Sequence, residues 1–528
     1  MNFRFFFFIC IFFLFSCSTK YDNSNLKIFK YNESNGISTL DPVFAKDKAT
    51  IWATSQLFNS LVKMGSNLEV DPSVASSWKI SEDGLLYTFY LREDVFFHDN
   101  EIFKEGRGRR VVASDFVYSF DRLLREDLAA PGSWVFNNVS SYSAINDTTL
   151  QIYLKQSFPP FLSLLSMQYC SVVPFECADT KDFRSNPVGT GPFQFKYWQE
   201  GVKLVLRKNN NYFEHENGVK LPYLDAVSIT FIKDKQSEFL SFLQGDVDFI
   251  SGIDPSYKDE ILNRDGSLQD KYSEKINLES LPFLNTEYLG FLLDGTSETS
   301  ENIYLRKAIN SAIDKDKMLK YLRNNIGIAA NNGFIPNGLP SFSDTLIYDE
   351  YNQVKALDYL EKAGFPNGQG LEPIILHTTS SYLDFCEFIQ SEVKKIGIEL
   401  KIEVNPPSTH RQMVATSKLD FFRGSWMADY PDAENYLSLF YSGNFCPDGP
   451  NYTHFHNEEF DILYEKSVKE TNIKKRIAMY QKLDGIIMQN MAIIPLYYDQ
   501  IIRFTNKNIS GFNSNAQNSL NLIYLKKE

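Results

Sequence analysis

Residues 374–404 read IILHTTSSYLDFCEFIQSEVKKIGIELKIEV, and the pattern changes character twice. Ile374, Ile375 and Leu376 make a short apolar run. Cys386, Ile389, Val393 and Ile396 then recur at spacings of three and four, which places them on one face of a helix. Beyond Gly397, Ile398, Leu400, Ile402 and Val404 alternate with Glu399, Lys401 and Glu403, the period of a strand. Gly397 stands where a helix commonly ends on a left-handed residue. Strand, helix and strand within about 30 residues make a β-α-β unit, which implies a parallel pair and a right-handed crossover.

Working outward, the same succession recurs. Val227, Ile229 and Phe231 precede a short helical stretch carrying Phe239, Leu240, Phe242 and Leu243, a stop at Gly245-Asp246, and a strand over Val247–Phe249. Tyr87-Phe89-Leu91 and Val202-Leu204-Leu206 alternate with polar or amphipathic neighbours and predict half-buried strands. Leu305, Ala308, Ile309, Ala312 and Ile313 predict an amphipathic helix. The 528 residues suffice for several domain-sized units at roughly 100–200 residues each. Loops at Asn331–Pro340 and Cys446–Pro450 separate elements, but no long linker divides the chain, so the units must be interwoven rather than strung in a row. The class is α/β.

Sixty-six acids against 53 bases leave a net charge of −13, which does not suit a nucleic-acid binder, because phosphate neutralisation needs concentrated Lys and Arg. Met1-Asn2-Phe3-Arg4 leads into an apolar run from Phe5 to Phe15, well short of the ~20 residues that span a bilayer, and reads as an export signal. Leu14-Phe15-Ser16-Cys17 resembles a lipobox. The expectation is a signal peptide over residues 1–16 and lipidation at Cys17, with the rest of the chain held to a bacterial membrane by that lipid on the periplasmic side.

Catalytic machinery is missing. There is no GxSxG elbow, no Walker A loop, no GxGxxG opening a helix, no CxxC and no HExxH. Cys170, Cys177, Cys386 and Cys446 are too sparse for a disulfide framework, although Cys170 and Cys177 could bridge. His454 and His456 would share one face if they lay on a strand, yet a third ligand is lacking, so no metal and no cofactor are expected. His98, beside Phe96 and Phe97, reads as a structural hydrogen-bonding histidine.

Several segments, in order, resemble the extracellular solute-binding proteins, family 5, of oligopeptide and dipeptide ABC importers. They are Thr39-Leu40-Asp41-Pro42; Val74 to Trp78 with Ser81-Glu82-Asp83-Gly84 and Tyr87 to Asp99; Ala113 to Ser119; Asn186-Pro187-Val188-Gly189-Thr190-Gly191-Pro192-Phe193; and Leu305 to Asp314. Asp99-Asn100 stands where the family usually has Asp-Gly. The resemblance implies a two-lobed periplasmic-binding-protein fold of the large peptide-binding type, with a subdomain inserted in the first lobe. On that pattern residues 24–62, 182–280 and 495–528 make the hinge-bearing first lobe, 63–181 the insert and 281–494 the second lobe. Crossings are then expected near Leu281–Leu293 and Ile493–Tyr498.

The resemblance also implies a ligand site. Arg423-Gly424-Ser425-Trp426-Met427-Ala428-Asp429-Tyr430 matches a stretch of the oligopeptide binders whose Asp pairs with the ligand's α-amino group, a role that falls to Asp429. Arg423 matches an arginine that in some members meets the peptide's carboxylate end, and Trp426 an aromatic lining a side-chain pocket. Ala45, Lys46 and Asp47 match a stretch facing the cleft. The chemistry suits peptides, since all share a terminal ammonium and a backbone that one carboxylate and a few main-chain groups can hold. The implied function is therefore capture of oligopeptides by a monomeric, lipid-anchored receptor that hands them to the permease and ATPase subunits of an importer. It is not an enzyme. The alternatives are murein-derived peptides, a nickel complex or haem as ligand, and an exported peptidase, against which the lack of any catalytic constellation argues.

Overall fold

The unit at residues 374–404 folds as its pattern predicts. In the computed structural model, which describes residues 26–252, 254, 257–348 and 350–528, Ile374–Thr378 runs parallel to Leu400–Val404 in unbroken register, with the helix Leu383–Lys394 between them. Gly397 has φ of +92°, and a Cβ there would lie 2.2 Å from the Asn367 carbonyl oxygen, so conformation and close approach both demand glycine. The export signal and Cys17 lie outside the described residues.

This pair ends one edge of an eleven-stranded sheet. In chain order its strands are β1 (Ile28–Asn32), β2 (Phe193–Gln199), β3 (Lys203–Lys208), β4 (Ala226–Thr230), β5 (Phe249–Ser251), β6 (Ile276–Phe291), β7 (Ile328–Ala329), β8 (Ile374–Thr378), β9 (Leu400–Val404), β10 (Phe421–Met427) and β11 (Ile493–Asn506). The order across the sheet is β9-β8-β10-β6-β11-β5-β1-β4-β3-β2, with β7 paired to β11. β4 and β5, joined by the helix Lys235–Leu243, are parallel, but β1 lies between them and pairs with both. Periodicity revealed their direction and could not reveal a neighbour supplied from a distant part of the chain. Val202, expected in β3, is exposed in the preceding turn, where Gly201 takes a φ of +69°.

β6 and β11 are long because they run through the sheet from one lobe to the other. They pair from Ile276↔Asn506 to Gly290↔Ile493, and the ladder breaks between Pro282 and Thr286. Past the break β6 also pairs with β10, while the far end of β11 pairs with β5. Of the stretches expected to carry the crossings, Ile493–Tyr498 lies in β11, and Leu281–Leu293 overlaps β6 up to Phe291. One face of the second lobe's sheet is buried by Leu289, Phe291, Phe421 and the helix residues Ile389 and Val393. The other face packs Tyr288 and Phe422 against Phe334, Leu483 and Ile487.

Residues 75–80, 86–91, 149–154 and 139–146 form a separate antiparallel sheet. Its Tyr87, Phe89 and Leu91 join Phe116 and Phe120 of the helix Ala113–Leu123 in a core continuous with Phe29, Tyr31 and Trp52. Specific polar contacts lock this subdomain in place. Asp41 caps the turn Pro42–Phe44 and receives both terminal nitrogens of the buried Arg122, at 2.6 and 3.0 Å. Gly189 and Gly191 let their turn lie against the end of the helix Lys48–Leu57, where a Cβ would stand 2.1 Å from the Leu57 oxygen or 2.5 Å from the Gln56 oxygen. His98 closes over that turn, accepting from Gly189 N at Nδ1 and donating from Nε2 to Gly191 O, so the neutral ring is the form that fits. Burial drives its pKa down to about 4. Arg306, buried, donates to the carbonyls of Asn490 and Met491, capping the helix Ile473–Gln489.

Candidate ligand-binding cleft

Parallel strands of an open sheet leave a crevice outside their carboxyl ends. Here the carboxyl ends of β1, β4 and β5 and those of β8, β9 and β10 converge on the broken stretch of β6 and β11 from opposite sides. Asp429 lies just past the end of β10. Asn435 organises its surroundings, accepting from Trp426 Nε1 at 2.9 Å and from the Asp429 backbone N at 3.2 Å, while its own amide stands 3.5 Å from Asp429 Oδ2. Asp429 is solvent-exposed as a residue, yet the protein around its carboxylate pushes the pKa up, opposed only by the Asn435 hydrogen bond. Among the described residues no Lys, Arg or His pairs with it.

Three tyrosines lie within range of this charge. The hydroxyls of Tyr436 and Tyr452 are raised mainly by burial and partly by the Asp429 charge. Tyr169, from the inserted subdomain, is pushed up to about 12 by burial first and then by the charges of both Asp429 and Asp47. Tyr169 therefore feels the charges of both Asp429 and Asp47.

Trp426 and Arg423 occupy opposite faces of β10. Arg423 is not free: its guanidinium pairs with the buried Glu287 and lies 3.1 Å from the centre of the Tyr382 ring. Glu287 accepts from Asn285 at 3.0 Å, Asn285 approaches Asp499 at 3.5 Å, and Asp499 binds Arg323 at 2.7 Å, which reaches the Tyr497 hydroxyl at 2.9 Å. The result is a polar chain across β10, β6 and β11 in which each arginine has its own carboxylate. Burial pushes the Glu287 carboxyl up, and the Arg423 charge is the main force opposing it.

Of the first-lobe candidates, Ala45 is buried, and Asp47 is the N-cap of the helix Lys48–Leu57, accepting from Thr50 N at 3.0 Å and from the Thr50 hydroxyl at 3.1 Å. Lys46 is exposed. Sequence reasoning missed a charged group beside them. Glu33, directly after β1, is buried with its carboxyl raised by burial; Lys48 stands over the Trp52 ring at 4.5 Å with its ammonium lowered by burial; and Glu238 receives Asn32 and Lys235 at 2.9 and 2.8 Å. A cavity of about 300 Å³ adjoins Lys235 and Glu238, with Phe239, Ile250, Tyr257 and Phe504 among its walls. The available signal was position: Asn32-Glu33 sits at the carboxyl end of a parallel strand.

His454 and His456 do not share a strand face. They lie in a loop gathered by Asn451, whose amide donates to the Tyr441 and Phe455 carbonyls, and His454 takes φ of +52°. His454 Nε2 turns inward to Ser417 and Cys446 at 3.1 and 3.3 Å, whereas His456 points to Asp461. Among the described residues no cluster of His, Cys, Asp or Glu can hold a metal ion, and Cys170, Cys177, Cys386 and Cys446 are free buried thiols.

The two α/β lobes, the continuous crossing strands and the crevice between strand ends define an extracytoplasmic binding-protein architecture. Residues 69–445 match the model for bacterial extracellular solute-binding proteins, family 5, and the chain belongs to that family. It is 27% identical over 507 residues to heme-binding protein A of Haemophilus influenzae, covering 91% of this chain and 89% of the relative. It is 25% identical over 480 residues to the dipeptide-binding protein of Escherichia coli, covering 86% of each. The solved periplasmic binding protein DppA of Helicobacter pylori, in complex with the peptide STSA, superposes with a TM-score of 0.75 at 25% identity over 95% of this chain and 98% of that one. No helix among the described residues is long and apolar enough to cross a membrane.

Proposed function

We propose that this solute-binding protein captures oligopeptides between its lobes and delivers them to the permease and ATPase subunits of an ABC importer. Asp429 carries the reading: an anionic group that pairs with no cation among the described residues, just past the end of β10, calls for a ligand ammonium. The proposed moving units are residues 24–62, 182–280 and 495–528 with the insert 63–181 on one side, and 281–494 on the other. Closure is rotation about β6 and β11 near the break in their ladder, the kind of motion a few strand residues absorb while lobes stay rigid. The proposal assigns no reaction to the chain and treats it as a monomer. Murein-derived peptides, with the same free ammonium, are the runner-up.

Native mass spectrometry of protein isolated gently from its source, followed by incubation with an isotopically labelled tripeptide and separately with haemin, tests this. The expected result is a one-to-one complex from which the tripeptide is recovered intact. Binding of haemin alone, or recovery of cleaved tripeptide, overturns it.

Periplasmic anchoring through Cys17 belongs to the same proposal, resting on Leu14, Ser16 and the short apolar run. Cys17→Ala should move the protein from the membrane fraction to the soluble one. Retention on the membrane through high-salt washing would show that lipid at Cys17 is not the anchor.

A further inference from the structure

The residue after Asp429 packs away from its own lobe's core. Tyr430 is 6% exposed, and its ring packs with the apolar cluster of the first lobe and insert rather than with that of its own lobe. Its hydroxyl is held from its own side by donation to the buried Glu434, which also receives the Tyr464 hydroxyl. Across the cleft Tyr430 meets Trp134 of the insert, with ring centroids 6.4 Å apart and planes inclined by 37°. Trp134 is otherwise an exposed indole, and large exposed aromatics usually mark contact surfaces.

The loop that carries Trp134 is fixed from below. Gly132 is buried under Tyr169, whose ring carbon would lie 2.2 Å from a Cβ at that position. The same loop therefore presents Trp134 to Tyr430 and seats Tyr169, which feels the charges of Asp429 and Asp47. Asp432 and Arg476, 3.5 Å apart, back the second-lobe side. One chain turn thus carries both the carboxylate for the ligand and the aromatic that meets the opposite lobe.

We propose that Tyr430 and Trp134 form an interlobe latch beside Asp429, which holds the closed form and so sets how long a bound ligand stays. The naming of the ligand as a peptide rests on the reading above; the latch itself does not. A contact made between lobes favours the closed state whether or not the cleft is filled, and a more populated closed state raises apparent affinity in proportion. Its loss should appear in dissociation rather than association, because encounter happens with the cleft open.

The test uses the full chain with Trp134→Ala and the ring-retaining Trp134→Phe. Stopped-flow displacement of a labelled tripeptide should show dissociation about threefold to tenfold faster in Trp134→Ala, the range that aromatic pairs contribute, with association within about twofold of wild type. Trp134→Phe should restore most of the difference. Small-angle scattering without ligand should show a larger radius of gyration for Trp134→Ala than for wild type. A change in either the dissociation rate or the ligand-free radius supports the latch, and wild-type values for both overturn it. If wild type binds no tripeptide, the peptide reading fails and the scattering comparison alone decides the latch.

Discussion

Asp429→Ala should weaken tripeptide binding by about 30-fold or more, and N-acetylation of the tripeptide should cost wild type the same. In the closed complex either change leaves one charge buried without its partner, which typically costs about 2–5 kcal/mol, and 1.4 kcal/mol is a factor of ten. An acid facing open water would cost only roughly 0–1 kcal/mol. Both changes together should cost far less than their sum, since the second removes a partner already unpaired. Burial already holds the Asp429 carboxyl above the usual aspartate range. A bound ammonium favours the ionised form, so the complex holds its charge to lower pH than the free site, and affinity should fall on acidification through that raised value. Calorimetry on the four combinations, repeated at a lower pH, checks all of this. Equal binding of acetylated and free peptide by wild type, or simple addition of the two losses, would show that Asp429 is not the amine's partner.

What was legible in the sequence followed from local repetition. The unit at residues 374–404 could be read because its periods are local and its stop, Gly397, needs a conformation few other residues take. The turn with Gly189 and Gly191 could be recognised as a motif, but its cause, the backbone of Gln56 and Leu57 pressing on both glycines, is a long-range contact. β1 wedged between β4 and β5 was hidden for the same reason. Asp429 was singled out through its surrounding pattern, whereas Tyr169, Trp134 and Glu33 were not, since the contacts of each are set by folding rather than by neighbours in the chain. Asp47 shows the converse: the family pattern singled it out, but Asp47-x-x-Thr50 is an N-cap pattern, and the carboxylate accepts from Thr50.

Arg423 separates two meanings of a matching motif, and its substitution should act on stability. Its side chain is 11% exposed and that of Glu287 only 4%, so removing the guanidinium leaves a buried carboxylate among Asn285, Asp499 and Tyr382 with its own cation gone. Breaking a buried pair from one side costs about 3–5 kcal/mol, while replacing both partners with apolar groups of similar size is often neutral. Arg423→Ala should therefore lower the urea midpoint of the ligand-free protein strongly, and Arg423→Met combined with Glu287→Leu should recover most of the loss. The pair lies where β10 and β6 meet beside the crossing, so the loss should be concentrated in the second lobe, read as faster amide exchange in β10 and β6 than in β1 and β4. Amidating the peptide's carboxyl end should change affinity less than about threefold, since Glu287 already neutralises the arginine that would receive it. The opposite pattern, a wild-type urea midpoint in Arg423→Ala together with a tenfold loss on amidation that this variant abolishes, would make Arg423 the ligand's partner and Glu287 only its alternative one.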